Sequence, residues 1–427
     1  MSEAAIALFV LLFLLLFSSA PIAVALGLAT FAYFFYYTTI PLTQIPETLF
    51  NALNTFPLMA IPMFVLAATI MSRGGISDRL IKAGIALVGQ FRGGLAMTAV
   101  LSCVFFAAIS GSSPATVVAV GTLMIPAMIN SGYGKDFSTG LVATSGSLGI
   151  LIPPSIPLIV YGIATEQSIG DLFIAGVMPG LLAGAMLLLM VIVVSRRRNY
   201  GTGEHAISMT KQEKLKALRD SALSLLLPVL VLGGIYGGIF TPTEAAAMAV
   251  FYALLLSFLV YRQLSIKDLG TILLTASRTS AMIMFIIANG ILFSFVLTSE
   301  RIPNDVAEAL VAMDLQPWTF LLMVTVTLLL AGCFMETSSA ILIIAPILLP
   351  IAIELDINPI HLGIIMVMNL EIGMITPPLG LNLFVASGLS RMSVLRVAKA
   401  AIPSAAVLLS ALLLITYIPQ ISLSLLD

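Results

Sequence analysis

Apolar runs long enough to enter a bilayer follow one another along almost the whole chain. They lie at about 4–37, 56–71, 93–109, 114–130, 138–152, 156–164 and 172–195, then at about 220–239, 244–261, 276–298, 317–335, 339–355, 359–375, 379–389 and 400–420. Of the 427 residues 60% are hydrophobic and 9% charged, with a mean hydropathy of +1.13, so there is too little polar surface to wrap a water-soluble core. A spanning helix takes roughly 20 apolar residues, so about 11 to 14 membrane segments are expected. The chain is read as an all-α polytopic membrane protein. A soluble enzyme, a nucleic-acid binder and a disordered scaffold are excluded, and a net charge of −1 offers no basic field to attract nucleic acid.

Residues 196–219 interrupt the pattern. They carry seven of the 19 basic residues, Arg196, Arg197, Arg198, Lys211, Lys214, Lys216 and Arg219, and by the positive-inside rule they face the cytoplasm. We therefore divide the chain into a first membrane repeat, 1–198, a basic linker, 199–219, and a second membrane repeat, 220–427. The start, Met1-Ser2-Glu3, is acidic and lacks the basic region of a cleavable signal, so the first apolar run is expected to stay as a membrane helix.

The halves repeat one another. Gly149-Ile150-Leu151-Ile152-Pro153-Pro154 and Gly373-Met374-Ile375-Thr376-Pro377-Pro378 share a Gly-x-x-x-Pro-Pro frame 224 residues apart, and Pro179 and Pro403 keep that spacing. Upstream, Ser110-Gly111-Ser112-Ser113 lies opposite Met335-Glu336-Thr337-Ser338. Equivalent stretches carry opposite charge. Residues 72–92 hold Arg73, Arg79, Lys82 and Arg92 against Asp78, whereas 297–317 hold Arg301 against Glu300, Asp305, Glu308 and Asp314. Likewise Arg391, Arg396 and Lys399 answer a stretch with only Asp171, and the basic linker answers a tail ending in Asp427. Such opposition is expected of two inverted-topology repeats, with both termini in the periplasm.

Proline at Pro153, Pro154 and Pro157, and at Pro377 and Pro378, removes backbone donors from apolar helices in matching places. Carbonyls near Gly149 to Ile152 and Gly373 to Thr376 are then left for a small hard cation, because broken helices persist in a membrane only where buried in protein or lining a cavity. The hydroxyl-rich turns Ser110–Thr116 and Glu336–Ser339 are expected as tips of re-entrant hairpins, adding Ser and Thr oxygens and, at the next half-helix, amide hydrogens for an anion. A lone Ser-Gly-Ser-Ser would serve equally as a close-packing element; the duplication favours function. Glu336 and Glu371 are the intramembrane acids, Asn369 and Asn382 flank the second break, and Glu371 is read equally as a structural partner. Arg278 and Arg301 are expected to snorkel to the interface. Cys103 and Cys333 read as packing residues, and His205 and His361 lack metal-site spacing. Thr241-Pro242-Thr243-Glu244 is a capping box, and Gly176, Gly180 and Gly184, with Gly233, Gly234, Gly237 and Gly238, are helix-contact residues. No His-Glu-x-x-His or other nucleophile or metal set points to an enzyme.

Ser110–Thr116, Gly149–Ser155, Tyr161-Gly162, Leu172–Gly180 and Thr376-Pro377-Pro378-Leu379-Gly380-Leu381-Asn382-Leu383-Phe384 together resemble the large membrane subunit of tripartite ATP-independent periplasmic (TRAP) transporters, across essentially the whole chain. The resemblance implies a Na⁺-driven importer of organic acids in the bacterial inner membrane, moving by an elevator-type mechanism with a small four-helix membrane subunit and a periplasmic substrate-binding protein. It implies one Na⁺ site at Ser110, Ser112, Gly149, Ile152 and Pro154, and a second at Gly373 and Thr376 with Glu336, Thr337 and Ser338. Substrate would lie between the hairpin tips, with Ser113, Thr116, Ser155 and Asn382 as its contacts. The overall likeness leans to the sialic-acid branch, with C4-dicarboxylate the competing cargo and a gated anion channel the alternative from another class.

Overall fold

The computed structural model describes residues 3–18, 20–200, 209–303, 305, 308 and 316–426, so His205, Asp314 and Asp427 lie outside the described residues. Among the described residues every regular element is helical, as expected where lipid offers no partner to an open backbone donor. The first half runs α1 (Glu3–Phe17), α2 (Ile22–Tyr36), α3 (Gln44–Leu53), a 3₁₀ turn entering α4 (Ala60–Arg73), α5 (Ile76–Val88), α6 (Gly94–Ser110), α7 (Ser113–Asn130), α8 (Lys135–Ser145), α9 (Leu148–Leu151), α10 (Ile156–Thr165) and α11 (Ile169–Arg198). The second runs α12 (Lys211–Tyr236), α13 (Pro242–Leu255) with a π-helical turn to Val260, α14 (Ile266–Ser299), α15 (Pro317–Gly332), α16 (Thr337–Glu354), α17 (Pro359–Gly373), α18 (Leu381–Ser390), α19 (Val394–Tyr417) and α20 (Gln420–Leu423).

Eight described helices are long and apolar enough to cross a membrane, nine if α8–α9 and α10, bent by 41° at their break, count as one span. Six further apolar helices of 10–17 residues fall short of that length. This is fewer full spans than the apolar runs predict. The run 4–37 divides at Pro21 into α1 and α2, each short of a span, and α6 and α15, before the hydroxyl turns, also fall short, whereas α7 and α16 after them reach spanning length.

Helix ends follow local chemistry. Thr241 and Glu244 form the expected capping box, with Pro242 at the first helical position of α13. A second box, Thr210 with Glu213, starts α12 at Lys211, so Lys211, Lys214, Lys216 and Arg219 stand on a helix rather than a loop. In α11, Ser168 accepts from the Asp171 amide, and Arg196–Arg198 occupy the last turn, where cations suit the helix dipole.

The halves interlock. α7 packs on α18, α8 on α18 and α19, α10 on α16 and α17, and α11 on α19. Around this body stand α4 against α13, α5 against α12, and α2 and α3 against α14. One large apolar core runs through both groups, and a smaller one joins Leu8, Leu12, Leu26 and Phe34 to Phe293, Val296 and Leu297. Phe13, Phe17, Leu189, Val229, Phe251, Phe285 and Ile402 point outward, as lipid-facing side chains do. Cys103 and Cys333 are buried packing residues; Arg301 is exposed just past the end of α14, whereas Arg278, also exposed, lies well inside that helix rather than at a segment end.

Candidate functional site

α6 stops at Ser110 because Gly111 turns left-handed (φ 59°), a conformation that favours glycine, and Ser112 is extended before α7. The turn closes on itself through oxygen. Ser110 Oγ and Thr116 Oγ1 are 2.9 Å apart, Thr116 Oγ1 donates to the Ser112 carbonyl at 2.9 Å, and Ser110 Oγ lies 3.3 Å from that carbonyl. Gly149 approaches so closely that a Cβ there would sit 2.5 Å from Thr116 Oγ1 and 2.8 Å from the Ser112 carbonyl. Ser110, Ser112, Thr116 and Gly149 thus form one oxygen-rich knot.

The first break follows at Ile152–Ser155, where the Pro153–Pro154 bond is cis. Ser155 caps α10, accepting from the Leu158 amide at 3.4 Å, and the Ile156 amide donates to the Gly111 carbonyl at 3.2 Å, tying break to tip. The Pro154 carbonyl lies 3.1 Å from where a Gly111 Cβ would be. α11 seats the break through small residues, as a Cβ on Gly176 would meet the Leu151 carbonyl at 3.1 Å and one on Gly180 would meet Ile152 at 2.6 Å. These glycines therefore serve contacts within the protein, whereas Gly233 and Gly238 have open space around them.

In the second half Glu336 caps α16: its carboxylate accepts from the Ser339 amide at 3.1 Å and from Ser338 Oγ at 3.0 Å. Thr337 Oγ1 donates to Met374 Sδ at 3.0 Å. α17 ends at Gly373, where a Cβ would lie 2.5 Å from Gly332 Cα. Across the break, with Pro377–Pro378 also cis, the Leu379 and Gly380 amides donate to the Cys333 carbonyl at 3.3 and 3.4 Å. Thr376 Oγ1 donates to its own helix at the Ile372 carbonyl, 2.8 Å away.

The two tips and two breaks meet at a cavity of about 50 Å³ whose lining includes Ser112, Ser113, Ile150, Glu336, Ser338 and Glu371. Glu371 is fully buried. Its Oε1 accepts from Asn382 Nδ2 at 2.8 Å, Asn382 Nδ2 also reaches Ser147 Oγ at 3.4 Å, and Asn382 Oδ1 accepts from Ser113 Oγ at 3.3 Å. The second oxygen of Glu371 makes no hydrogen bond of good geometry, although the Ser113 and Ser147 hydroxyls flank the carboxylate. Among the described residues the lining carries two carboxylates and no basic side chain. A donor set of carboxylate, hydroxyl and carbonyl oxygen, with one buried oxygen still open, suits a hard cation.

Of the residues expected to hold Na⁺, the structure brings Ser110, Ser112 and Gly149 together, sets Pro154 beside the tip and turns Ile152 against Gly180. Glu336, Thr337 and Ser338 share the second tip, Gly373 packs on Gly332, and Thr376 spends its hydroxyl on α17. Of the expected substrate contacts, Ser113 and Asn382 bond to each other, Thr116 belongs to the first knot, and Ser155 is a cap. Ser147 was not singled out in the sequence. It stands 224 residues before Glu371, but a serine opposite a glutamate carries no repeat signal, and only the fold brings both to Asn382.

Over residues 9–421 the sequence matches the family described as Tripartite ATP-independent periplasmic transporter, DctM component. The chain belongs to this family. It is 45% identical to the C4-dicarboxylate TRAP transporter large permease protein DctM of Vibrio cholerae, covering 97% of this chain and 96% of that protein. It is 33% identical to the sialic acid TRAP transporter large permease protein SiaM of Vibrio cholerae, covering 96% and 95%. Among solved structures, the Alcanivorax borkumensis YdaH transporter matches 97% of this chain and 98% of its own at 15% identity and a TM-score of 0.61, a likeness of fold. The chain is thus a large permease subunit of a tripartite transporter, and its family is one of transport rather than catalysis.

Proposed function

We propose that this permease imports a small organic dianion together with Na⁺, receiving it from a periplasmic binding protein and working beside a small membrane subunit in the inner membrane. The observation that carries the coupling is the cavity between the tips, lined by Glu336 and Glu371 with no basic side chain. An anion entering there meets carboxyl oxygens and no cationic partner unless cations bind first. Ser110, Ser112 and the Gly149 and Pro154 carbonyls would hold one ion; Glu336, Ser338 and carbonyls at the second break would hold another. Ion binding then favours the loaded state through differential affinity, so the gradient drives import.

C4-dicarboxylate is the cargo we favour, because the 45% identity to a C4-dicarboxylate permease exceeds the 33% identity to a sialic acid permease. The sequence-based lean to sialic acid gives way on that ground. For motion, the interlocked body α6–α11 with α15–α19 would slide as a unit against α1–α5 with α12–α14. The 224-residue frame and the opposed charges support an inverted relation between the halves.

The test is uptake of a radiolabelled four-carbon dicarboxylate into proteoliposomes holding the full transporter, with its binding protein outside. Uptake is expected to require an inward Na⁺ gradient, and equal uptake without one would overturn the coupling. Ser112→Ala is expected to raise the Na⁺ needed for half-maximal uptake roughly tenfold, the effect of about 1.4 kcal/mol.

A further inference from the structure

Away from the tips, α5, α12 and the turn after α13 enclose a second cavity of about 440 Å³, lined by Arg79, Lys82, Arg219, Asp220, Leu223 and Tyr261, among others. Three cations and one acid give it a surplus of positive charge. Among the described residues none of the three cations makes an ion pair. Arg79 is held in place: its guanidinium carbon lies 3.5 Å from the centre of the Tyr261 ring, its Nη1 donates to the Gly75 carbonyl at 2.8 Å, and its own carbonyl accepts from Ser221 Oγ at 2.7 Å. Tyr261 is fixed in turn, with its hydroxyl 2.8 Å from Ser224 Oγ. Lys82 and Arg219 are exposed beside this anchored cation.

The surroundings are apolar on one side. Leu223 and Val260, both lining the cavity, are 41% and 46% exposed, and Leu226, Val229 and Leu230 extend the exposed apolar surface along α12. A fixed guanidinium with two free cations above an outward apolar stripe matches an amphiphile with an anionic head. It does not match a free anion, which has no use for the stripe, and clusters of basic residues between helices at a membrane surface are suited to acidic lipid headgroups.

We infer that this cavity binds the phosphate headgroup of an acidic phospholipid, whose acyl chains lie along the exposed face of α12. The lipid would bridge α5 of the first half to α12 of the second, two helices that already pack together. The site is independent of the tip cavity and of the cargo.

The full-length permease, delipidated in a neutral detergent, is titrated with phosphatidylglycerol, with phosphatidylcholine of the same chains and with inorganic phosphate, and bound lipid is counted by native mass spectrometry. Phosphatidylglycerol is expected to bind in preference to phosphatidylcholine, more weakly as salt rises, and inorganic phosphate is not expected to displace it. In the Lys82→Gln, Arg219→Gln double variant, chosen because both side chains are exposed and leave Arg79 in place, affinity is expected to fall about fivefold for each charge removed. A melting temperature unchanged without lipid shows that the variant is folded. If the variant keeps the wild-type preference, whether or not it loses a protein partner, the inference is overturned. Displacement of the lipid by millimolar phosphate would also overturn it, in favour of a simple anion site.

Discussion

Gly149 seats the first break on the first tip, and Asn382 joins that tip to Glu371. A methyl on Gly149 would press on Thr116 Oγ1 and the Ser112 carbonyl, and backbone cannot yield as a flexible side chain can. Gly149→Ala is therefore expected to abolish Na⁺-dependent uptake and to cost about 1–3 kcal/mol of stability, the usual range for overpacking. Gly270→Ala is the control, because nothing lies within 4 Å of that position and alanine favours a helix. Melting curves and uptake assays on both variants check the contrast. Asn382 joins Ser113 to Glu371, so Asn382→Leu leaves the buried carboxylate with neither oxygen bonded to an amide. A loss of roughly 1–3 kcal/mol is expected, read as a lower melting temperature, with partial rescue by adding Glu371→Gln. Single-residue motifs were legible where they were duplicated, as with the glycines of the Pro-Pro frame. Ser147 escaped because its counterpart is Glu371, and a serine matched to a glutamate does not look like a repeat.

The elements explain where the apolar pattern misleads. Hydropathy counts each apolar run as a crossing, but α6, which ends before Gly111, and α15, which ends at Gly332, are too short for one, whereas α7 and α16 beyond the turns are not. The start of α12 was written in Thr210-Lys211-Gln212-Glu213, a capping box hidden inside a stretch whose basic charge reads as a linker. Caps and surface ion pairs should differ in weight. Thr241→Ala removes the acceptor of the Glu244 amide and is expected to cost about 1 kcal/mol. Asp136→Asn breaks the 2.8 Å pair with Arg396, yet both side chains are more than half exposed, so a change below about 0.5 kcal/mol is expected. Thermal melts of the two variants in one detergent make the comparison.

At the scale of the whole molecule, sliding of one helical group against the other makes a geometric claim. α14 and α16 belong to different groups, and a Cβ on Gly290 would lie 2.8 Å from the Leu342 Cβ. A disulfide between Gly290→Cys and Leu342→Cys, formed once the pair relaxes to the Cβ separation of about 3.5–4.5 Å that a disulfide needs, in a background with Cys103 and Cys333 replaced by alanine, is expected to stop uptake until reduced. Gly121 and Leu389 touch within the sliding body, on α7 and α18. A disulfide between Gly121→Cys and Leu389→Cys is expected to leave uptake intact. Transport that survives the first cross-link would refute the sliding motion. The grouping was not legible from sequence, because which helices pack together depends on contacts between segments hundreds of residues apart.

The chamber between the tips has room for a few water-sized groups and none for a four-carbon diacid. The Ser113–Asn382 bond ties the first tip to the helix that follows the second break. On the proposed reading a four-carbon cargo would have to part the serine turns before translocation, so an effective blocker of such a carrier need not imitate the cargo. A wedge that slips into the seam and stops the turns from closing again would be enough.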